Sequence, residues 1–169
     1  TTPNLSDPFT INVGSNGTDL NGTHTLGDVS LLKNSHLTVT GVEGYGLTIG
    51  AVTLGNNVSV RNNSDGLLTV GSVDMSDTGG GIGGTGSVEI TGDVTGDFSF
   101  QIHQGVTLTT IGDIAMDAFD HVRFDQGTLN LNGSFDAVIG NTGQNNSFAG
   151  GLFGDTGDDE DLNCGRSRE

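Results

Sequence analysis

The sequence predicts an all-β fold: a single-domain parallel β-solenoid (β-helix) of about six coils, each of roughly 21 residues. Three observations predict it. A short phrase, glycine followed by alternating small and apolar residues, recurs six times at near-constant spacing. Within each copy the apolar residues alternate with small or polar ones, which is the period of a strand with one buried face. The composition is that of a chain that turns every few residues, with 30 glycines and 2 prolines among 169 residues and no tryptophan.

Residues 1–26 read as an N-terminal cap or incomplete first coil. Phe9, Ile11 and Val13 alternate there, and Gly14 to Gly22 is a turn cluster rich in Gly, Asn and Asp. The end of a solenoid leaves backbone unpaired, and a divergent terminal coil is the usual cover. The coils proper run from 27 to 153. Their lead glycines are Gly27, Gly50, Gly71, Gly92, Gly112 and Gly133, so the steps are 23, 21, 21, 20 and 21 residues. A glycine before each strand suits a corner with an unusual backbone angle. The second residue after each is Val29, Val52, Val73, Val94, Ile114 or Phe135, always apolar.

Each coil adds a middle and a third strand. Leu37, Val60, Ile102 and Val122 stand ten residues after their glycines and mark the middle one. Coil three breaks the pattern: Thr78-Gly79-Gly80-Gly81-Ile82-Gly83-Gly84 occupies the place of a middle strand and reads as a tight loop or flattened corner. The third strand shows as Leu47–Ile49, Leu67–Val70, Val88–Thr91, Val106–Ile111 and Leu129–Leu131. Its apolar residues fall one and three places before the next glycine in some coils and two and four in others, which a bulge or shifted corner would reconcile. After Gly133 the pattern decays, and residues 154–169 form an acidic C-terminal tail that composition marks as disordered. Six coils stacked at about 4.8 Å make a rod of roughly 30 Å.

Net charge is -16, with 5 Lys and Arg against 21 Asp and Glu. Phosphate would be repelled, so nucleic acid is excluded as a partner. No stretch approaches the roughly 18 to 20 apolar residues of a membrane span. Without an initiator Met or a secretory apolar run at Thr1, the chain reads as a mature or trimmed product. The lone Cys164 forms no internal disulfide. Seven Asn-x-Ser/Thr triplets begin at Asn4, Asn16, Asn21, Asn57, Asn62, Asn132 and Asn145, several of them expected by chance in so Asn- and Ser-rich a chain.

The outward residues of the opening strands include Asp28, Asp93 and Asp113. Carboxylates stacked about 5 Å apart repel unless neutralised. Calcium, which takes several oxygens in loose geometry, is the natural candidate cofactor, and a solvated acidic face without an ion is the alternative. Asp155 and Asp158 of the tail are further calcium candidates, although the spacing is not that of an EF-hand loop. Arg61, His103 and Arg123 all lie eleven residues after their lead glycines and are expected to stack along one outer face beside His121. A basic face set apart from an acidic one can orient lateral contacts between identical rods. His103 and His121 alone are too few ligands for a metal centre.

Paired carboxylates for a polysaccharide lyase or hydrolase are plentiful, but the basic partner is scarce, and aromatic sugar platforms are nearly absent. No P-loop, nucleophile elbow or Rossmann fingerprint is present. The sequence therefore reads as non-catalytic. Thr48, Thr69 and Thr110 hint at the regular threonine ladder of an ice-binding face, but Ile90 and Leu131 interrupt it.

The coil length and the Gly-x-Val-x-Leu wording of residues 27–140 resemble the lean β-helical coils of secreted bacterial adhesin and autotransporter passengers. Coil length is also similar to that of bactofilins, which polymerise end to end. The resemblance implies fold, and no functional residue carries over from it. The expectation is an extracellular or cell-surface structural protein, a homopolymer subunit. Phe9, Ile11 and Val13 at one end, and Phe148 and Phe153 at the other, would meet neighbours by strand addition. The alternatives are a monomeric adhesin or carbohydrate-binding module with a glycan or cell-surface ligand, and a β-helix polysaccharide lyase.

Overall fold

The computed structural model describes residues 4–5, 8–14, 22–75, 80–96, 100–103, 105–116, 121–124, 127–136 and 138–141. Among them there is no helix, and the strands stack in parallel coils as a β-solenoid. The first coil contains β1 (Asn4–Leu5), β2 (Phe9–Val13) and β3 (Thr23–Leu26). In the next, β4 (Val29–Leu31) and β5 (His36–Gly41) lead to β6 (Gly46–Leu54), which runs unbroken through Gly50 and so opens the following coil. There β7 (Val58–Asn62) is followed by β8 (Leu68–Met75), which likewise crosses Gly71, and then by β9 (Gly80–Gly84) and β10 (Ser87–Ile90). Two further coils hold β11 (Val94–Gly96), β12 (Phe100–Ile102) and β13 (Thr107–Thr110), then β14 (Ile114–Met116), β15 (His121–Phe124) and β16 (Thr128–Leu131). A last partial coil shows β17 (Phe135–Asp136) and β18 (Val138–Asn141).

The coil count differs slightly from six. The middle strands form one sheet in the order β18-β15-β12-β9-β7-β5-β2, seven strands among the described residues. Opening and third strands share a second sheet, joined through β6 and β8. In the opening segment β1, β2 and β3 each pair in parallel with the coil that follows. Tail residues 154–169 lie outside the described residues.

The core is a set of inward columns. Val29, Val52, Val73, Val94, Ile114 and Phe135 are partners in consecutive opening strands, and the first five are at most 1% exposed. Their burial along the axis is what the six-fold phrase encodes, since each coil can hide its apolar face only against its neighbours. The lead glycines serve this stacking in a way the sequence did not suggest. None of them has a left-handed backbone; among the described residues the glycines that do are Gly44, Gly84 and Gly105. A side chain at Gly92, Gly112 or Gly133 would instead run into the backbone of the glycine one coil earlier. Close approach, not φ, requires glycine at these corners.

The third strand's variable register also has a simple cause. Ile49, Val70, Ile90, Thr110 and Leu131 form one inward column. In the later coils one extra residue, Thr91, Ile111 or Asn132, stands between this column and the glycine, and all three are exposed. The extra residue sits on the corner, and the strand breaks there instead of running through as β6 and β8 do. No bulge within the strand is needed.

Thr110 therefore belongs to the core and not to a threonine ladder. The outward column is Thr25, Thr48, Thr69, Glu89, Thr109 and Asn130. Thr110 is 0% exposed, and its hydroxyl is buried without a hydrogen-bond partner. An unsatisfied buried hydroxyl costs about 1–3 kcal/mol. Thr110→Val keeps the shape and removes the hydroxyl, so it should stabilise the rod by about 1–2 kcal/mol and raise its melting temperature by a few degrees. Unchanged or lower melting by calorimetry would mean that the hydroxyl has a partner.

The glycine run is the largest departure from expectation. Residues Gly80–Gly84 are a strand, paired with β7 on one side and β12 on the other. Gly80 faces inward, where a Cβ would stand 2.8 Å from the Leu54 Cδ1 atom, so bulky neighbours fill the room that it leaves. Ile82 alone carries a side chain into the core, at 0% exposed. Two neighbouring strands supply the ladder that a glycine-rich segment could not sustain alone.

Candidate functional site

The three aspartates of the opening strands lie at corners and clamp one coil to the next. Asp28 Oδ1 accepts from the Ala51 N–H at 2.8 Å, Asp93 Oδ1 from the Asp113 N–H at 3.0 Å, and Asp113 Oδ1 from the Ser134 N–H at 2.8 Å. All three side chains are exposed. The Ser134 backbone N–H, with help from its side chain, holds the Asp113 carboxyl below the usual carboxylate range. Each Asp follows a glycine where the strand is interrupted, so the Gly-Asp pair is a corner clamp legible in the sequence. Among the described residues no three His, Cys, Asp or Glu side chains come together as a cation cage. Asp155 and Asp158 lie outside the described residues.

The middle-strand sheet carries a different surface. Its outward register aligns His36 with Ser59, Ser59 with Gly81, and Gly81 with Gln101. A second column aligns Thr38, Arg61 and Gly83. The two glycines carry no side chain on this face, and both are buried. His103 leans over them: a Cβ on Gly81 would stand 2.7 Å from its Nε2, and one on Gly83 would stand 3.0 Å from its Cβ. The result is an open groove of about 290 Å³, lined by His36, Asn57, Ser59, Arg61, Gln101 and His103 together with Asn56, Val58 and Gly80.

Ser59 ties the groove's bases together. Arg61 Nε donates to Ser59 Oγ at 3.0 Å, and Ser59 Oγ lies 2.9 Å from His36 Nδ1. Burial first, and then the Arg61 charge, push the His36 imidazole below its ordinary value. In the neutral tautomer of His36 that carries its proton on Nε2, the Ser59 hydroxyl accepts from Arg61 and donates to Nδ1. At the corner below, Asn34 and Asn57 both have left-handed backbones, and the Asn57 amide donates to Asn34 Oδ1 at 3.1 Å.

Of the basic residues expected to stack, Arg61 and His103 meet at this groove, on either side of Gly83. Arg123 is in register with Gln101 and so falls in the neighbouring column. The reason is a longer connection: Ile102 comes six residues after Gly96, whereas its partner Phe124 comes eight after Met116, the partner of Gly96. His121 pairs with Val138. At the N-terminal end Phe9 and Ile11 are partly buried against the core, and Val13 is fully buried. Phe148 and Phe153 lie outside the described residues. The sequence reading passed over His36, Ser59 and Gln101. The signal that could have found them is the glycine run, once it is placed as a strand.

Fold and surface together define a parallel β-solenoid repeat protein. Among the described residues no helix is long and apolar enough to cross a membrane. Compared with protein-family models, curated proteins and solved structures, the chain matches none.

Proposed function

We propose that the chain is a non-catalytic extracellular structural protein, a subunit of a filament or surface layer joined head to tail at its solenoid ends. The reading rests on the ends of the middle-strand sheet. It runs in parallel from β2 to β18, and among the described residues neither end strand is paired on its outer side. In a parallel stack the free edge at one end complements the free edge at the other, so a second copy can continue the ladder by strand addition. Such a contact is heterologous and does not close, so it grows into a fibre. Phe9, Ile11 and Val13 lie on the strand that would receive the neighbour.

Lateral contacts would follow from charge. Arg61, His103 and Arg123 belong to the middle-strand sheet, whereas Asp28, Asp93 and Asp113 belong to the corners of the other. Opposed faces of this kind fix the relative orientation of rods. Calcium would act by neutralising aspartates on adjacent rods. The coil length that resembles adhesin and autotransporter passengers supports a cell-surface location.

Electron microscopy of the purified chain, with calcium and with a chelator, is the test. Filaments or sheets are expected, and calcium dependence would assign the ion to the aspartate face. Isolated short particles in both conditions would end the assembly reading. They would favour the second one, a monomeric adhesin or carbohydrate-binding module, for which the groove on the middle-strand face is the specific observation.

A further inference from the structure

From the groove between Arg61, His36 and His103 we infer that it binds an oxyanion carried on a small hydroxylated molecule, a sugar acid or a sugar phosphate. This goes beyond the assembly reading and does not depend on it.

The first support is charge. The chain carries -16 overall, yet none of the nine described residues lining the groove is acidic. One of its few arginines and two of its four histidines converge there. In so acidic a protein a recess whose described lining is basic and holds no carboxylate is a local inversion of potential. It draws anions inward, while the rest of the surface turns them away.

The second support is geometry. Arg61 is exposed and spends its Nε–H on Ser59, which fixes the plane of the guanidinium. Its other N–H donors form the planar fork that suits carboxylate and phosphate. The Ser59 hydroxyl and the amides of Asn57 and Gln101 add short polar groups around that fork. Such groups match ligand hydroxyls, and among the described residues the lining holds no aromatic ring for stacking a sugar face other than the two imidazoles. The His103 side chain fills the space over Gly81 and Gly83 and forms one wall of the groove. At about 290 Å³ the groove lies at the small end of ligand sites, so it takes one sugar-sized unit and not a long chain.

The third support is the state of His36. Its imidazole is disfavoured as a cation by burial and by Arg61. An anion seated against both would offset the Arg61 charge and favour protonation of the imidazole.

The experiment is an NMR titration of the whole chain at low salt, following the histidine ring signals. Glucuronate and glucose 6-phosphate are the anionic probes, and glucose is the neutral control. At least one anion should shift the His36 and His103 signals in a saturable way, with glucose at least tenfold weaker. Glucuronate alone would assign a carboxylate source, and glucose 6-phosphate alone a phosphate ester. Added salt should weaken binding. Arg61→Gln should weaken it about tenfold or more, and His103→Gln should weaken it less, while melting curves stay near wild type. The inference is overturned if neither anion saturates, if glucose binds equally, if the shifts map to other residues, or if Arg61→Gln binds as wild type does. Should the variant fail to fold, the wild-type titration with its neutral control decides alone.

Discussion

Val94→Asp is expected to leave the rod unfolded at room temperature. Val94 is 0% exposed and lies between Val73 of one coil and Ile114 of the next. Removing the side chain forfeits about 1.5–3 kcal/mol of apolar burial. Burying an unpaired carboxylate costs several kcal/mol more, since the column offers no cation and no hydrogen-bond donor. The sum reaches the about 5–15 kcal/mol by which ordinary domains are stable. Position along the axis makes the site worse than its contacts alone suggest. Each coil is stabilised by its neighbours, so a fault in a central coil divides one stack into two short ones. Thr95→Asp is the control: the same charge, one residue on, at an exposed outward position. Circular dichroism melts should show no cooperative transition for Val94→Asp and one close to wild type for Thr95→Asp. A normal melt for Val94→Asp would contradict the inward column.

The repeat was legible because it is enforced by packing. A phrase that recurs every 20 to 23 residues leaves little choice, as each Val or Ile must meet its counterpart one coil away. Local rules failed where two strands supply what one lacks. Gly80–Gly84 has almost no intrinsic reason to be extended, and in isolation it reads as a loop. Between β7 and β12 its backbone is paired on both sides, and that outweighs the entropy cost of ordering glycine. Similarly, the lead glycines were legible as corners, but the reason for them was hidden. It lies in the glycine of the coil below, which no local pattern displays.

The basic face was half legible. Counting eleven residues from each glycine placed Arg61 and His103 correctly on one face, because their connections are matched in effect. The same count misplaced Arg123 by two residues, since the link from β14 to β15 is longer. The aspartates were read for their charge, and their hydrogen bonds to the next coil could not be seen without the stacking register. The groove itself was invisible: His36, Arg61 and His103 come from three different coils, and only the stacking register brings them together.

Asn62→Ala is expected to be the costliest single truncation of a polar side chain. Asn62 is 0% exposed and sits in the inward column with Val39, where the coils otherwise place apolar residues. Its amide donates to the carbonyls of Gly66 at 2.9 Å and Ser87 at 2.8 Å. Its Oδ1 accepts from the Ser64 N–H at 3.0 Å and from the Ser64 hydroxyl at 2.6 Å. One side chain thus closes the turn after β7 and ties it to the start of β10 in the next coil. Truncation strands buried donors and acceptors, each worth about 1–3 kcal/mol, so a loss of about 3–5 kcal/mol is expected. Asn62→Asp should be at least as harmful at neutral pH, since it loses both donated bonds and sets a charge against two carbonyls. Part of that loss should return in acid, where a protonated carboxyl donates again. Asn57→Gly, at an exposed left-handed position with one side-chain bond, should stay within about 0.5 kcal/mol of wild type. Urea midpoints for the three variants at pH 7 and pH 4 distinguish the cases. The burial also closes the Asn62-Asn63-Ser64 triplet to glycosylation, because the amide nitrogen that a glycan would need is the one holding two coils together. If Asn62→Ala melts with Asn57→Gly, the network is not what fixes that turn.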